Sequence, residues 1–313
     1  MKRASFAEDR FCGHQHFSVI KGISILLIVI VHLCRYLDFT YLSPFAGAGV
    51  AVFLLCSGYG LSESFLCKGG LQGFWPNKIV KIWIPSFVKL SFFALVGLRG
   101  VLMWLTEYPL FLYGWYLQVL FGEYLVFWLL FRFVKNGRLR LFGLFAASVL
   151  AFVLIRNQLY AEQMFCFPIG VAFSQCKLKD KMERWGWLQK IALVGICGFV
   201  AAAAFLMRHS SSSYLLLNGI WMLFKLSLAI LICFVPYYLR KLHVFSIFAP
   251  LGSISYMLYL INNDILALLT GNVRWYTVAG VLVLLVLAAV GFKWLCDKIS
   301  DGYTAILKRK AKA

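Results

Sequence analysis

Polar and apolar positions alternate along this chain in long blocks, and not at the short period of a half-buried strand. Apolar stretches of roughly 20 residues, long enough to cross a bilayer as a helix, are separated by short polar or turn-forming clusters. Ten such stretches are visible, at residues 17–37, 47–66, 82–104, 110–131, 139–156, 163–176, 187–207, 214–236, 247–269 and 275–296. The pattern predicts an all-α, polytopic membrane protein with about ten transmembrane helices in a single domain over residues 1–313.

The composition strengthens this interpretation. Hydrophobic residues make up 62% of the chain and charged residues 14%, whereas a soluble domain is about half apolar and a quarter charged. A high positive charge, here a formal net charge of +19, is also found in nucleic-acid-binding proteins. Those proteins carry their basic residues on a solvated face of a soluble domain. Here the basic residues lie in short clusters between apolar stretches, so we expect the protein to contact the lipid bilayer and not to bind nucleic acid.

The distribution of the basic residues predicts the topology. If the ten stretches span the membrane, 22 Lys and Arg residues fall on one side and five on the other. Basic loops remain in the cytoplasm, so both termini are predicted to be cytoplasmic in a multi-pass protein of the plasma or inner membrane. The first apolar stretch has no small-residue cleavage site, and we interpret it as a retained helix and not a signal peptide.

The nine cysteines show no CxxC spacing and no pairing with histidines, and most fall within apolar stretches. This distribution is typical of small apolar core residues. We expect neither a metal site nor a redox site.

Candidate chemistry begins in the first predicted span, KGISILLIVIVH, which starts at Lys21 and ends at His32. Eleven helical steps of about 1.5 Å and about 100° separate the two residues by about 16 Å and return them to one face. An ionisable side chain inside a membrane helix is expensive and indicates function. Packing against a neighbouring helix is the alternative interpretation of His32, and snorkelling to the membrane surface is that of Lys21.

The cytoplasmic ends of the next spans supply further polar groups. Ser57 and Tyr59 follow an unbroken apolar run, and Lys78 and Lys81 form one basic ridge. Such a ridge suits the phosphates of a ligand or the headgroups of anionic lipids.

Glu123 is an acid within the fourth predicted span. We expect it to be paired, because a lone carboxylate in lipid is costly. It is our first candidate to orient His32, and Lys89 and Lys225 are its alternative partners.

Two more groups of polar residues are candidates for substrate contact. Trp115 and Tyr116 lie near the outer boundary, where they contact substrate or form an aromatic belt. In the ninth stretch, Tyr259 and either Asn262 or Asn263 follow helical spacing and form a polar stripe. We expect this stripe to face a cavity.

Together these motifs resemble the acyltransferase-3 family of bacterial membrane O-acyltransferases, which have about ten transmembrane helices. The motifs are Lys21 with His32 eleven positions on, Phe53 to Gly58, Lys78 and Lys81 before Pro85, Trp115-Tyr116-Leu117, FPIG at 167–170 and LGSISYMLYL at 251–260. Two positions depart from the family pattern. Lys21 stands in place of an arginine, and its ammonium group cannot form the paired hydrogen bonds of a guanidinium. Asn262 or Asn263 stands where many members have a histidine.

The resemblance implies a donor and an acceptor. Acyl-CoA, with acetyl-CoA favoured, would bind from the cytoplasm near Lys21, Lys78, Lys81 and Ser57. A hydroxyl of a cell-surface or exported glycan would receive the acyl group.

The resemblance also implies that His32 is the general base, with a transient acyl-histidine as the alternative route. Tyr59, Ser57 or Tyr116 would stabilise the oxyanion, and Trp115, Tyr116, Tyr259 and Asn262 would contact substrate. A transporter or flippase of a lipid-linked glycan is the rival function, and a scaffold for a surface-polymer complex is a third.

Overall fold

The computed structural model describes residues 11–37, 39–94, 114–210, 213–269 and 274–310, and every regular element in these ranges is helical. Helix α4 is preceded by a π-helical turn, Ile79–Trp83, and short 3₁₀ turns join several of the other helices. The helices are α1 (His14–Tyr36), α2 (Ser43–Lys68), α3 (Phe74–Lys78), α4 (Ile84–Ala94), α5 (Trp115–Phe133), α6 (Gly137–Leu154), α7 (Gln158–Ala161), α8 (Cys166–Gln175), α9 (Leu178–Glu183), α10 (Trp187–Leu206), α11 (Tyr214–Tyr238), α12 (Ala249–Ser253), α13 (Ser255–Leu266) and α14 (Trp275–Lys310).

Seven helices in the described ranges are long and apolar enough to cross a membrane: α1, α2, α5, α6, α10, α11 and the Trp275–Ala305 part of α14. An eighth span results if Val244–Ser253 and Ser255–Leu266, which meet at a bend of 76°, count as one. The all-α membrane architecture is therefore confirmed, but the predicted count of ten is not.

Two of the ten predicted spans account for the difference. The stretch 163–176 contains α8, which has 10 residues and at about 1.5 Å per residue is too short to cross a bilayer core. The stretch 82–104 is described only as far as Ala94, and its remainder lies outside the described residues.

Helices α1, α2 and α8 form the centre of the bundle, where glycines allow backbones to touch. A Cβ on Gly58 would collide with the carbonyl oxygen of Phe167, and a Cβ on Gly170 would collide with that of Leu55. These reciprocal contacts join α2 to α8. Gly49 likewise lies against α1, where a Cβ would collide with the carbonyl oxygen of Ser24. Small residues of the second predicted span thus allow close helix approach.

The periphery of the bundle is formed by α6, α10 and α14, whose large apolar side chains point outward. Phe142 is 71% exposed, Phe199 74% and Trp294 63%. Apolar surface on this scale is typical of helices that face lipid. All nine cysteines lie in the described part of the chain, and each is a free thiol.

Several basic segments meet at one end of the bundle. The Arg140 guanidinium lies 4.8 Å from the ring centre of Phe65 and 4.9 Å from that of Phe131. These contacts bring together the last turns of α2 and α5 and the first turn of α6. The cytoplasmic location of this end, and of both termini, stays a prediction.

Candidate functional site

The position of α1 is set by direct backbone contact with the bent α12–α13 segment. A Cβ on Gly22 would collide with the carbonyl oxygen of Phe248, and a Cβ on Gly252 would collide with that of Ser18. Only glycine allows both approaches. The contact continues along the two elements, so the far end of α1 lies against α13.

His32 meets Asn262 where α1 and α13 run side by side. The Nδ1 atom of His32 lies 2.5 Å from Oδ1 of Asn262. Asn262 is fully buried and His32 is partly buried. The polar stripe predicted on the ninth stretch therefore faces His32 through Asn262, whereas Asn263 is exposed.

The orientation of the Asn262 amide determines the tautomer of His32. Its Nδ2 atom donates to the carbonyl oxygens of Leu258 at 3.0 Å and Tyr259 at 2.6 Å. Carbonyls only accept, so the amide nitrogen must face them and Oδ1 must face His32. The imidazole then carries its proton on Nδ1 and donates it to Asn262. Its Nε2 atom has a free lone pair that can accept a proton.

A polar pocket of about 450 Å³ lies at the other end of α1. Its walls hold every residue that the sequence predicted for the cofactor, namely Lys21, Ser57, Lys78 and Lys81, together with Lys68, Gln72 and Asn77, which the sequence reasoning did not select. No carboxylate lines it within the described part of the chain. Four lysines with no carboxylate among the described lining residues give the pocket a positive potential, which favours anions.

The electrostatics of this pocket are sensitive to pH near neutrality. Partial burial, together with the nearby charge of Lys81, lowers the pKa of Lys78 to about 7. The Lys78 ammonium also lies 4.0 Å from the ring centre of Tyr124, which lines the pocket together with Ser57. An anion that binds in the pocket stabilises the charged form of Lys78.

The residues predicted to contact substrate form an aromatic cluster beside Asn262. The rings of Tyr116 and Tyr259 meet edge to face with their centres 5.1 Å apart, and Trp115 contacts Tyr116 at 6.4 Å. Because the Tyr259 carbonyl also accepts from Asn262, this cluster adjoins the histidine. The structure thus brings Trp115, Tyr116, Tyr259 and Asn262 together.

The structure does not bring Tyr59 to His32. Its ring lies 5.6 Å from that of Phe17, which is 15 residues before His32 on α1 and so about 22 Å along the helix. Tyr59 lines an apolar cavity of about 350 Å³ that also contains Cys12 and His16.

Glu123 does not orient His32, because the Nδ1 position is occupied by Asn262. Glu123 lines a separate cavity, whose walls are formed by α5, by α6 and by Ile155, Tyr160 and Met164 after α6. Neither alternative partner is paired with it. Lys89 pairs with Asp264 at 2.6 Å, and Lys225 pairs with Glu162.

A second histidine, His16, lies in the first turn of α1 and is 1% exposed. Its Nδ1 accepts from the backbone N–H of Cys12, and its Nε2 donates to the carbonyl of Cys233 at 2.8 Å. Both nitrogens are thus used in fixing the start of α1. Nothing in the sequence distinguishes this structural histidine from a solvated one.

A family model described as an acyltransferase domain matches residues 16–297 of the chain. No curated protein and no solved structure matches it. The matched residues run from the first turn of α1 into α14 and include both the histidine and the lysine pocket. The chain therefore belongs to the acyltransferase-3 family of membrane acyltransferases.

Proposed function

We propose that this protein transfers an acyl group, with acetyl favoured, from acyl-CoA to a hydroxyl group of a cell-surface or exported glycan. The single observation that carries the proposal is the arrangement on α1. One helix places Lys21 in a cationic pocket and, about 16 Å further along, His32 with a free Nε2 lone pair. A long donor with an anionic head and a reactive tail fits this arrangement.

The donor binds with its phosphates among Lys21, Lys68, Lys78 and Lys81. Charge-assisted hydrogen bonds from ammonium groups to phosphate are among the stronger polar contacts in proteins. With the basic end of the bundle in the cytoplasm, the pocket draws acyl-CoA from the compartment that contains it. The pantetheine arm then extends along α1 and brings the thioester to His32.

The acceptor approaches His32 from the opposite end, past Trp115, Tyr116 and Tyr259. As the sugar hydroxyl oxygen attacks the thioester carbon, Nε2 of His32 takes the hydroxyl proton. The carbon–sulfur bond breaks, the ester forms, and the imidazolium returns the proton to the departing CoA thiolate. Asn262 serves as a positioning residue, because it keeps the other proton on Nδ1 throughout.

The test uses protein reconstituted in liposomes with radiolabelled acetyl-CoA and the surface glycan of a strain that lacks the gene. We expect the wild type to label the glycan and His32→Ala to leave it unlabelled, with unchanged protein level. The matched control is His14→Ala, because His14 is an exposed histidine at the start of the same helix.

Two results would overturn the proposal. Labelling by His32→Ala at the wild-type rate would remove His32 from the chemistry. Movement of unmodified glycan across the vesicle membrane without binding of acetyl-CoA would instead establish the rival function of a transporter.

A further inference from the structure

A buried carboxyl group with no partner in the described part of the chain lines a cavity outside the site described above. Glu123 is 92% buried, since its exposure is 8%, and no hydrogen-bond or ion-pair partner for it occurs among the described residues. It lines a cavity of about 200 Å³ between α5, α6 and α7. A buried carboxylate is retained against its desolvation cost when it serves a ligand or a partner.

The other polar walls of this cavity offer both donors and acceptors. Gln118 accepts a hydrogen bond from the Tyr160 hydroxyl through Oε1, which leaves its amide N–H groups to donate. Ser148, 3% exposed, adds a hydroxyl. This mixture suits the hydroxyl or amine substituents of a sugar ring, whereas a metal ion would require several converging oxygen ligands.

The size of the cavity limits what it can hold. Pockets for drug-sized ligands measure roughly 300–1,000 Å³, and this one is smaller. It therefore suits one small ring and not an oligosaccharide. The remainder of a longer ligand would have to lie outside it.

Aromatic contacts connect the cavity to the histidine site. Tyr160, which lines the cavity, lies 6.3 Å from Trp115 between ring centres. Trp115 contacts Tyr116, and Tyr116 contacts Tyr259 beside Asn262. Flat aromatic surfaces of this kind are suitable for stacking against the apolar faces of sugar rings.

We infer that the cavity of Glu123, Gln118, Ser148 and Tyr160 is a distal acceptor subsite, which binds one hydroxyl- or amine-bearing ring while another ring is acylated at His32. The acceptor is then an oligosaccharide or a longer polymer, because a single ring cannot reach both places. This inference rests on the proposed function for the identity of the ligand as a glycan.

The experiment uses full-length protein in nanodiscs and unacylated oligosaccharides released from the surface glycan of the deletion strain, sorted into single-ring and longer fragments. Binding is measured by the shift in thermal unfolding without acyl-CoA, and transfer is measured with it. We expect Glu123→Gln to weaken binding of the longer fragments about 2- to 10-fold, because the amide replaces one acceptor oxygen of the carboxyl group by an NH₂ group that only donates. It should raise their KM equally, leave kcat within about twofold and leave single-ring fragments unaffected.

A control and a second variant keep the test decisive. Asp301→Asn makes the same chemical change at an exposed site on α14 and should behave as wild type. Gly122→Leu keeps the carboxyl group but adds an apolar side chain to the cavity wall, and a Cβ at this position meets no protein atom within 4 Å. It should reproduce the rise in KM even if Glu123→Gln fails to fold.

The possible failures are distinguishable. If both cavity variants bind and acylate the longer fragments as the wild type does, the subsite is refuted and the proposed function stands. If the cavity variants bind the longer fragments more weakly than the wild type, but the wild type transfers nothing to them, the proposed function is refuted and the subsite stands.

Discussion

Replacement of Asn262 by leucine tests whether the tautomer of His32 governs catalysis. Leucine has similar branching but no acceptor, so the Nδ1–H of His32 would be left without a partner. An unsatisfied buried donor costs about 1–3 kcal/mol. At 1.36 kcal/mol per factor of ten, we expect Asn262→Leu to lower kcat about 5- to 150-fold. The KM for acyl-CoA should not change, since the lysine pocket is untouched.

The assay is steady-state transfer of labelled acetyl groups in liposomes, with thermal unfolding measured in parallel. Asn263→Leu is the matched control, because Asn263 is the adjacent amide and is exposed. Asn262→Asp should keep activity within about tenfold of wild type, since a carboxylate oxygen also accepts from Nδ1–H. If Asn262→Leu turns over at the wild-type rate while His32→Ala is inactive, the tautomer argument is wrong.

Three other predictions concern the pocket and the bundle. Lys21→Gln should raise the KM for acyl-CoA at least about tenfold with little change in kcat, whereas the same change at the exposed Lys298 should not. Equal KM values for wild type and Lys21→Gln in steady-state kinetics would contradict the pocket assignment. Acyl-CoA should bind most tightly below the pKa of Lys78, about 7. Its binding should weaken up to about tenfold as rising pH removes the ammonium charge. Lys78→Arg, which stays charged, should abolish this pH dependence when binding is measured by isothermal calorimetry. Gly22→Ala should lower the free energy of unfolding by about 1–3 kcal/mol, because the alanine methyl group collides with the carbonyl oxygen of Phe248. A calorimetric Tm equal to that of the wild type would show that α1 and the α12 segment can move apart at no cost.

Local regularities in the sequence predicted the parts of the site that lie on one helix. The spacing of Lys21 and His32 follows from helical periodicity alone, and the structure places both residues on the single helix α1 as expected. The grouping of Lys21 with Lys78 and Lys81 was implied by the family resemblance, and the structure brings the three lysines to one pocket.

Contacts between distant segments could not be predicted in this way. Asn262 lies 230 residues from His32, and Glu123 was an equally reasonable partner as long as only burial and charge were considered. Whether Asn262 or Glu123 meets His32 depends on how α1 packs against the α12–α13 segment. That packing is set by the backbone contacts at Gly22 and Gly252, which leave no periodic pattern in the sequence. The length of α8 was overestimated for a similar reason, because apolar turns flank it and extend the hydrophobic run.

The glycine contacts that join α1 to α12 and α2 to α8 also limit how the protein can move. Helices that touch backbone to backbone have no layer of side chains over which to slide, and packed interfaces of this kind are not continuously deformable. Alternating access, in which one half of a bundle rocks against the other, would have to break these contacts. The centre of this bundle is better suited to remain rigid. In the proposed function, the donor would then reach the site from one side of the membrane and the acceptor from the other, without a rearrangement of the helices.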